Sequence, residues 1–411
     1  MPSEHAKLDA ITNLSVELSR VKDLDILMEH ILKGARWFVS ADAGSIYIRK
    51  GDLLDFTYTQ NDTLQNRLQK GEKLIYSAFS IPIDKESIAG HVAVTGKSLK
   101  IADANQLDPA LPYHFDKHFD ETTQYCTRSV LTLPLENSRR EILGILQIIN
   151  AQDESNQVIP FSEKDEKMMS HFGSIAAVAL ERAQLTRAIL LRMIRMAQMR
   201  DPKETGPHVN RVAGYSVELY EKWALKHGVA QKEIDETRDS LRMAAMLHDA
   251  GKVAIADAIL KKPGPFTDQE REIMKQHSFL GARLFYDVQS DFDDAARIVA
   301  LNHHERWDGK GGYPGHIDTQ TGKPLEGFAM PDGSPKPKKG SEIPIFGRVV
   351  ALADVYDALI SARVYKDAWD ESRALDVIKA ESGRQFDPEL VEIFFSSLNL
   401  IQHIRDRFSE E

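Results

Sequence analysis

Apolar positions along the first half of the chain change period several times. Residues 5–39, HAKLDAITNLSVELSRVKDLDILMEHILKGARWFV, repeat apolar side chains every three or four positions, which predicts helix with one buried face. AGSIYIR (43–49) and DLLDFTYTQ (52–60) then alternate with a period of two around Gly51, and SVLTLPL (129–135) and ILGILQIIN (142–150) do the same around the polar turn ENSRRE. This order predicts an α+β module, an antiparallel sheet flanked by helices.

At Ser162 the period returns to that of a helix, with Ser162 and Asp165 three apart as an N-terminal start signal. The helix is predicted to run to about Arg200. Its apolar or small residues at 168, 172, 175, 179, 186, 189, 193 and 196 fall mostly at steps of three and four, as in a helix–helix seam, and so predict a homodimer through 166–200. After Asp201-Pro202 the pattern is helical to the end, with further starts at Pro207 and at Thr267, where Glu270 completes a capping box. One stretch breaks it. Residues 315–344 are rich in Gly, Pro and Lys and predict a long surface loop, mobile or a lid. The expected division is therefore 1–165, a sensor-like domain; 166–200, a connecting helix; and 201–411, a helical domain.

Composition narrows the class. A chain of 411 residues exceeds what one hydrophobic core organises, and 42% apolar with 28% charged residues is the balance of a globular protein. No apolar run approaches the ~20 residues of a membrane span, and MPSEHAKLDA lacks the marks of a signal peptide, so a cytoplasmic protein is expected. A net charge of -10 argues against a general nucleic-acid binder. The single cysteine, Cys126, excludes an internal disulfide and is expected to be a small buried hydrophobe.

Histidine distribution carries the chemistry. Six of the fourteen histidines (208, 227, 248, 277, 303 and 304) fall within about a quarter of the chain. AAMLHDAGKVAI (244–255) sets His248, Asp249 and Lys252 into what reads as a buried helix. His277 lines up with Ile273, Leu280 and Leu284 on the helix after Thr267, His303-His304 follow the apolar run AARIVAL, and Asp354 lies among core residues in RVVALADVYDAL. A lone buried histidine is usually satisfied by one hydrogen bond, and Lys252 alone reads as a solvated lysine. A cluster of such groups is different, because unpaired buried carboxylates and imidazoles cost several kcal/mol unless a divalent cation pairs them. Histidine and carboxylate suit Fe, Mn or Zn, and no thiolate set is present. Neighbours on a helix point about 100° apart, so His248 and Asp249 can flank one ion while the two oxygens of Asp249 bridge two. Paired ions about 3.5–4 Å apart suit phosphoester hydrolysis. Lys252 then holds a phosphate or assists the leaving alkoxide.

HDAGK (248–252), HHERWDGKGGYP (303–314) and ALADVYDALISARVYK (351–366), with RDPKETGPHVNRV before them and GRQFDPELV after them, resemble the HD-GYP family within the HD-domain metal-dependent phosphohydrolases. The likeness covers about 187–411. It implies an all-α helical bundle hydrolysing cyclic di-GMP to pGpG and onward to GMP. It also implies two or three divalent metal ions, iron or manganese, on Glu204, His208, His248, Asp249, His277, His303, His304 and Asp354. Asp249 would bridge, and with His248 and Lys252 form the catalytic group. Lys252, Tyr313, Arg363 and Lys366 would contact substrate, and the GYP loop would bind a diguanylate cyclase or another protein. DGKGGYP has one glycine more than the family pattern and the segment after it is longer. Hydrolysis of a hybrid cyclic GMP–AMP, or a non-catalytic cyclic dinucleotide receptor or scaffold, stand as alternatives.

In the N-terminal half, SIAGHVAVTGKSLKIAD and RSVLTLPLENSRREILGILQIIN resemble a GAF domain. Asn150, Phe161 and Asp165-Glu166 are spaced as in cyclic-nucleotide-binding GAF domains, with Ala151 where a lysine is expected. Cys126 is poorly placed to hold a bilin. The implied whole is a GAF sensor joined by a long helix to an HD-type bundle.

Overall fold

A computed structural model describes residues 16–69, 73–74, 79–199, 206–361 and 370–408. The chain divides into two compact units, Met1–Arg187 and Ala188–Glu411. In the first, residues 16–20 are helical and the helix restarts as α1 (Leu24–Phe38), because Asp23 accepts hydrogen bonds from the backbone N–H groups of Asp25 and Ile26 and caps a new N-terminus.

Among the described residues seven strands follow: β1 (Ala41–Lys50), β2 (Leu53–Asn61), β3 (Ser80–Pro82), β4 (Leu99–Ile101), β5 (Val130–Glu136), β6 (Ile142–Gln152) and β7 (Val158–Ile159). They form one antiparallel sheet in the order β3-β2-β1-β6-β5-β4, with β7 beside β6. The two predicted hairpins are β1–β2 and β5–β6, and the sheet joins them through β1 and β6. Ile46, Ile48, Leu131, Leu133, Leu146 and Ile148 point to one face, where Leu27, Leu32 and Phe38 of α1 cover them.

A long helix, α2 (Glu163–Gln198), begins as predicted: Ser162 Oγ accepts from Asp165 N at 3.1 Å and Asp165 Oδ2 accepts from Ser162 N at 2.8 Å. Its predicted seam divides in two. Phe172 and Ala179 are buried in the sheet's own core and Met168 and Ile175 pack against it, whereas Ile189, Met193 and Met196 are 56%, 46% and 68% exposed. Cys126 corrects its expectation. It is exposed, because Tyr125 and Thr127 on either side turn inward and the extended chain sends alternate side chains to opposite faces.

The second unit is built from α3 (Gly206–Lys226), α4 (Gln231–Ala245), α5 (Asp268–Lys275), α6 (His277–Leu284), α7 (Asp291–Asn302), α8 (Ile345–Ile360), α9 (Glu371–Ala380), α10 (Pro388–Ser396) and α11 (Leu398–Arg407). Val212, Tyr215, Leu241, Ala244, Val299, Val350, Tyr356 and Phe394 form its core. The Thr267–Glu270 capping box is present. The predicted single helix after it is two, α5 and α6, broken at Gln276; the change of phase leaves Ile273 and Leu284 exposed while His277 is buried. Residues 315–344 are folded rather than structureless: isolated bridges join Ile317 to Pro324 and Ala329 to Pro335, and Ile317 packs with Ala282, Ala300 and Leu301.

Candidate metal centre

α4 ends at Ala245 and the chain turns into a 3₁₀ helix, Ala250–Ala254. His248 and Asp249 therefore stand beyond a helix end, correcting the buried helix that AAMLHDAGKVAI predicts. The stretch Ala244–Leu247 is apolar because the turn itself lies in the core. Around it, α3 supplies His208, the start of α6 supplies His277, the end of α7 leads into His303 and His304, and α8 supplies Asp354.

Backbone carbonyls fix the imidazoles. Nδ1 lies 2.9 Å from Ala245 O in His248, 2.7 Å from Met274 O in His277, and 3.0 Å from Ala300 O in His303. A carbonyl oxygen only accepts, so each Nδ1 carries the proton and each Nε2 keeps a lone pair. Those lone pairs face carboxylates. Nε2 of His277 and of His303 are 3.0 and 3.5 Å from Asp249 Oδ1, while Nε2 of His248 is 3.3 Å from Asp249 Oδ2 and 3.8 Å from Asp354 Oδ1. Nε2 of His208 is 3.7 Å from Asp354 Oδ1.

Asp249 Oδ1 and Nε2 of His277 and His303 are buried and have no hydrogen-bond partner among the described residues. Acceptors facing acceptors in a desolvated space repel, and a divalent cation between them converts every contact to an attraction. The residues thus fit a metal ion. They fall into two sets, Asp249 with His277, His303 and His304, and His208 with His248 and Asp354; within each set the ligand atoms lie within 4.8 Å of one another.

Electrostatics prepare the same state. Burial pushes the Asp249 carboxyl up, but the ammonium of Lys252 leads the groups that outweigh it and hold it well below the usual carboxylate range. Burial lowers His303, and with the neighbouring histidines lowers His304 further, so both stay neutral. Lys252 Nζ, on a partly exposed side chain, lies 2.6 Å from Asp249 Oδ2. Tyr313 stacks on His304 with ring centroids 4.8 Å apart and meets His277 edge-on at 6.2 Å. Glu204, Arg363 and Lys366, the other site residues expected from sequence, lie outside the described residues.

Three neighbours were not anticipated. Asp357, fully buried, accepts from His208 Nδ1 at 2.8 Å and from Arg211 Nε at 2.6 Å. Burial raises this carboxyl, but His208 and Arg211 pull it below its ordinary value. The available signal was the spacing: Asp354 and Asp357, like His208 and Arg211, are three apart and share a helix face. Glu305, also buried, takes the backbone N–H of Gly315 at 2.5 Å and of Lys338 at 3.3 Å, so one carboxylate ties the start and a later point of the glycine-rich segment to the end of α7.

In the N-terminal unit the Asn150 side chain is spent internally. Its Oδ1 accepts from Arg128 N at 2.7 Å, and its Nδ2 donates to Cys126 O at 2.8 Å and Tyr125 Oη at 2.9 Å. Phe161 is core, Asp165 caps α2, and Glu166 accepts from Ser98 and pairs with Lys100 at 3.4 Å.

Comparison with known families agrees with this division. A GAF domain family matches residues 23–180, and HD domain families match 205–359 and 329–390. The chain joins a GAF domain to an HD domain. The bundle holding the two ligand sets is the HD domain, and the sheet unit is the GAF domain. A cyclic di-GMP phosphodiesterase of Vibrio cholerae is 33% identical over 68% of this chain and 49% of its own length. A 3'3'-cGAMP-specific phosphodiesterase of the same species is 38% identical over 46% of this chain and 31% of its own length. A cyclic di-GMP phosphodiesterase response regulator of Xanthomonas campestris is 35% identical over 54% of this chain and 51% of its own length. The chain thus spans a third to a half of the length of these relatives. Among the described residues no helix is long and apolar enough to cross a membrane.

Proposed function

We propose that this HD-GYP chain is a cytoplasmic phosphodiesterase that opens cyclic di-GMP to linear pGpG and carries it on to GMP under control of its GAF domain. The observation that carries the reading is the division of Asp249, whose Oδ1 faces His277 and His303 and whose Oδ2 faces His248 and Lys252. A carboxylate so placed would be able to serve two cations. His277, His303 and His304 would hold one with it, and His208, His248 and Asp354 the other, with iron or manganese as the ions and Glu204 as the residue that would serve a third. Bound divalent cations supply Lewis acidity toward a phosphoryl group and its attacking water.

The remaining roles belong to the chain. Lys252 would leave Asp249 to meet the non-bridging oxygens of the phosphodiester, which gain negative charge as water adds to phosphorus, while the bond to the 3' oxygen breaks and that oxygen leaves with the proton lost by the water. Tyr313 walls the substrate side against His304, while Arg363 and Lys366 hold the phosphates or guanines. The GYP loop recruits a diguanylate cyclase or another protein, and Ile189, Met193 and Met196 of α2 serve a homodimer.

Incubation of Mn²⁺-loaded protein with cyclic di-GMP, followed by chromatography, tests the reaction. Appearance of pGpG and its loss in Asp249→Ala supports it; an unchanged substrate sinks it. A second reading, hydrolysis of cyclic GMP–AMP, is favoured by the 38% identity to the cGAMP-specific relative. Relative kcat/KM on the two dinucleotides separates them.

A further inference from the structure

His208 is held differently from the other histidines whose Nδ1 contacts are described. His248, His277 and His303 each lean on a backbone carbonyl, whereas His208 Nδ1 lies 2.8 Å from Asp357 Oδ2. Asp357 has no exposed surface, and Arg211 grips both of its oxygens, Nε to Oδ1 at 2.6 Å and an NH2 nitrogen to Oδ2 at 2.9 Å. The same guanidinium donates to Phe408 O at 2.9 Å, just past the end of α11, and to Ser361 Oγ at 2.9 Å, at the end of α8.

We infer that Asp357 is the positioning residue for the His208, His248 and Asp354 set, and that Arg211 joins that set to the C-terminal end of α11. The inference rests on the reading of these residues as metal ligands. Its physical basis is twofold. A carboxylate on Nδ1 fixes both tautomer and ring direction, and its charge makes Nε2 a stronger donor to a cation than a carbonyl partner does. The Arg211 fork in turn leaves Asp357 one orientation, since both oxygens are engaged. The two sets meet where His248 Nε2 lies 3.3 Å from Asp249 Oδ2, but the described bonds of Asp357 run to His208, Arg211 and Ser361 and to none of Asp249, His277, His303 and His304, so disturbance of Asp357 is expected to act chiefly on the set that holds His208.

Mn²⁺ titration of the full chain, with free Mn²⁺ read by its electron paramagnetic resonance signal, tests the assignment in wild type, Asp357→Asn, His208→Ala and the double variant. Wild type is expected to bind at least two ions. Asp357→Asn is expected to weaken one class of site by roughly 10–100-fold and to affect the other far less. In the His208→Ala background the same substitution should add no further loss, because its effect passes through that imidazole. If Asp357→Asn fails to fold, Asp357→Leu with Arg211→Met removes both buried charges together and enters the same cycle. Failure of wild type to bind Mn²⁺ overturns the metal reading itself. Binding by wild type with an unchanged Asp357→Asn isotherm overturns the positioning role alone, as does equal weakening of every site or an undiminished loss in the His208→Ala background.

Discussion

A Cβ built on Gly251 falls 1.9 Å from the carbonyl oxygen of His277 and 2.4 Å from the backbone nitrogen of Gly281. The 3₁₀ helix after Asp249 therefore lies directly on the start of α6, and this approach brings Asp249 Oδ1 to 3.0 Å from His277 Nε2. Both obstructing atoms are backbone, so neither can swing aside. Gly251→Ala is expected to cost about 3 kcal/mol or more and to abolish Mn²⁺ uptake. At Gly281 the nearest atoms are 3.1 and 3.2 Å from the built Cβ, and Gly281→Ala should cost only about 1–2 kcal/mol. Urea denaturation of the two variants side by side checks the ordering; equal losses would show that this contact does not set the site.

The same glycine illustrates what the sequence could convey. The alternating runs that became β1–β2 and β5–β6, the Ser162 and Thr267 caps, and the clustering of histidines each rest on spacing within one segment, and each is legible for that reason. Gly251 reads as an ordinary helix-end residue until His277, 26 positions later, lies on top of it. The same is true of Asp357, whose partners His208 and Arg211 stand about 150 residues upstream. The break at Gln276 was hidden because the apolar spacing continues through it, and the burial of Met168 to Ala179 was hidden because a helix seam and a helix packed on its own sheet share one period. The internal bonds of 315–344 run through backbone groups, which composition does not encode.

Removing metal should destabilise the HD domain. Acceptors that now face one another at 3.0–3.5 Å, such as Asp249 Oδ1 against Nε2 of His277 and His303, repel without a cation. Free Mn²⁺ at a hundred times its dissociation constant should raise the unfolding free energy by about 2.7 kcal/mol per site. Chelator should return it to the apo value, and Asp249→Ala should erase most of the difference. Denaturation with and without chelator reads this directly; identical curves for the wild-type protein would contradict the fit of the site to a metal.

Acid should act on the same residues. Burial depresses His303 and His304 below the ordinary histidine value. The unfolded chain therefore takes up protons near pH ~6.5 that the folded chain refuses. The sign follows from this: their contribution to stability is present above ~6.5 and is lost as pH falls toward their depressed folded values. Urea midpoints of the metal-free protein should decline from pH ~6.5 downward, more shallowly in His304→Gln. A His304→Gln variant with the wild-type slope would remove that residue from the account.

Asn150 provides the last test, because its position in the GAF domain suits either a ligand contact or a structural bolt. Its backbone is left-handed at φ 56°, a conformation asparagine tolerates better than most residues. Its side chain already makes three bonds, to Arg128 N, Cys126 O and Tyr125 Oη, and Tyr125 in turn donates to Asp42 Oδ2 at 2.6 Å. The side chain is thus the knot between the segment entering β5 and the end of β6. Asn150→Ala leaves buried groups unpaired and should cost about 2–3 kcal/mol. Asn150→Asp keeps the acceptor for Arg128 N but turns a carboxylate oxygen toward Cys126 O and Tyr125 Oη, so its loss should be comparable. Thermal denaturation of both variants decides the matter: unaltered stability together with a changed response to added cyclic nucleotide would make Asn150 a ligand contact instead.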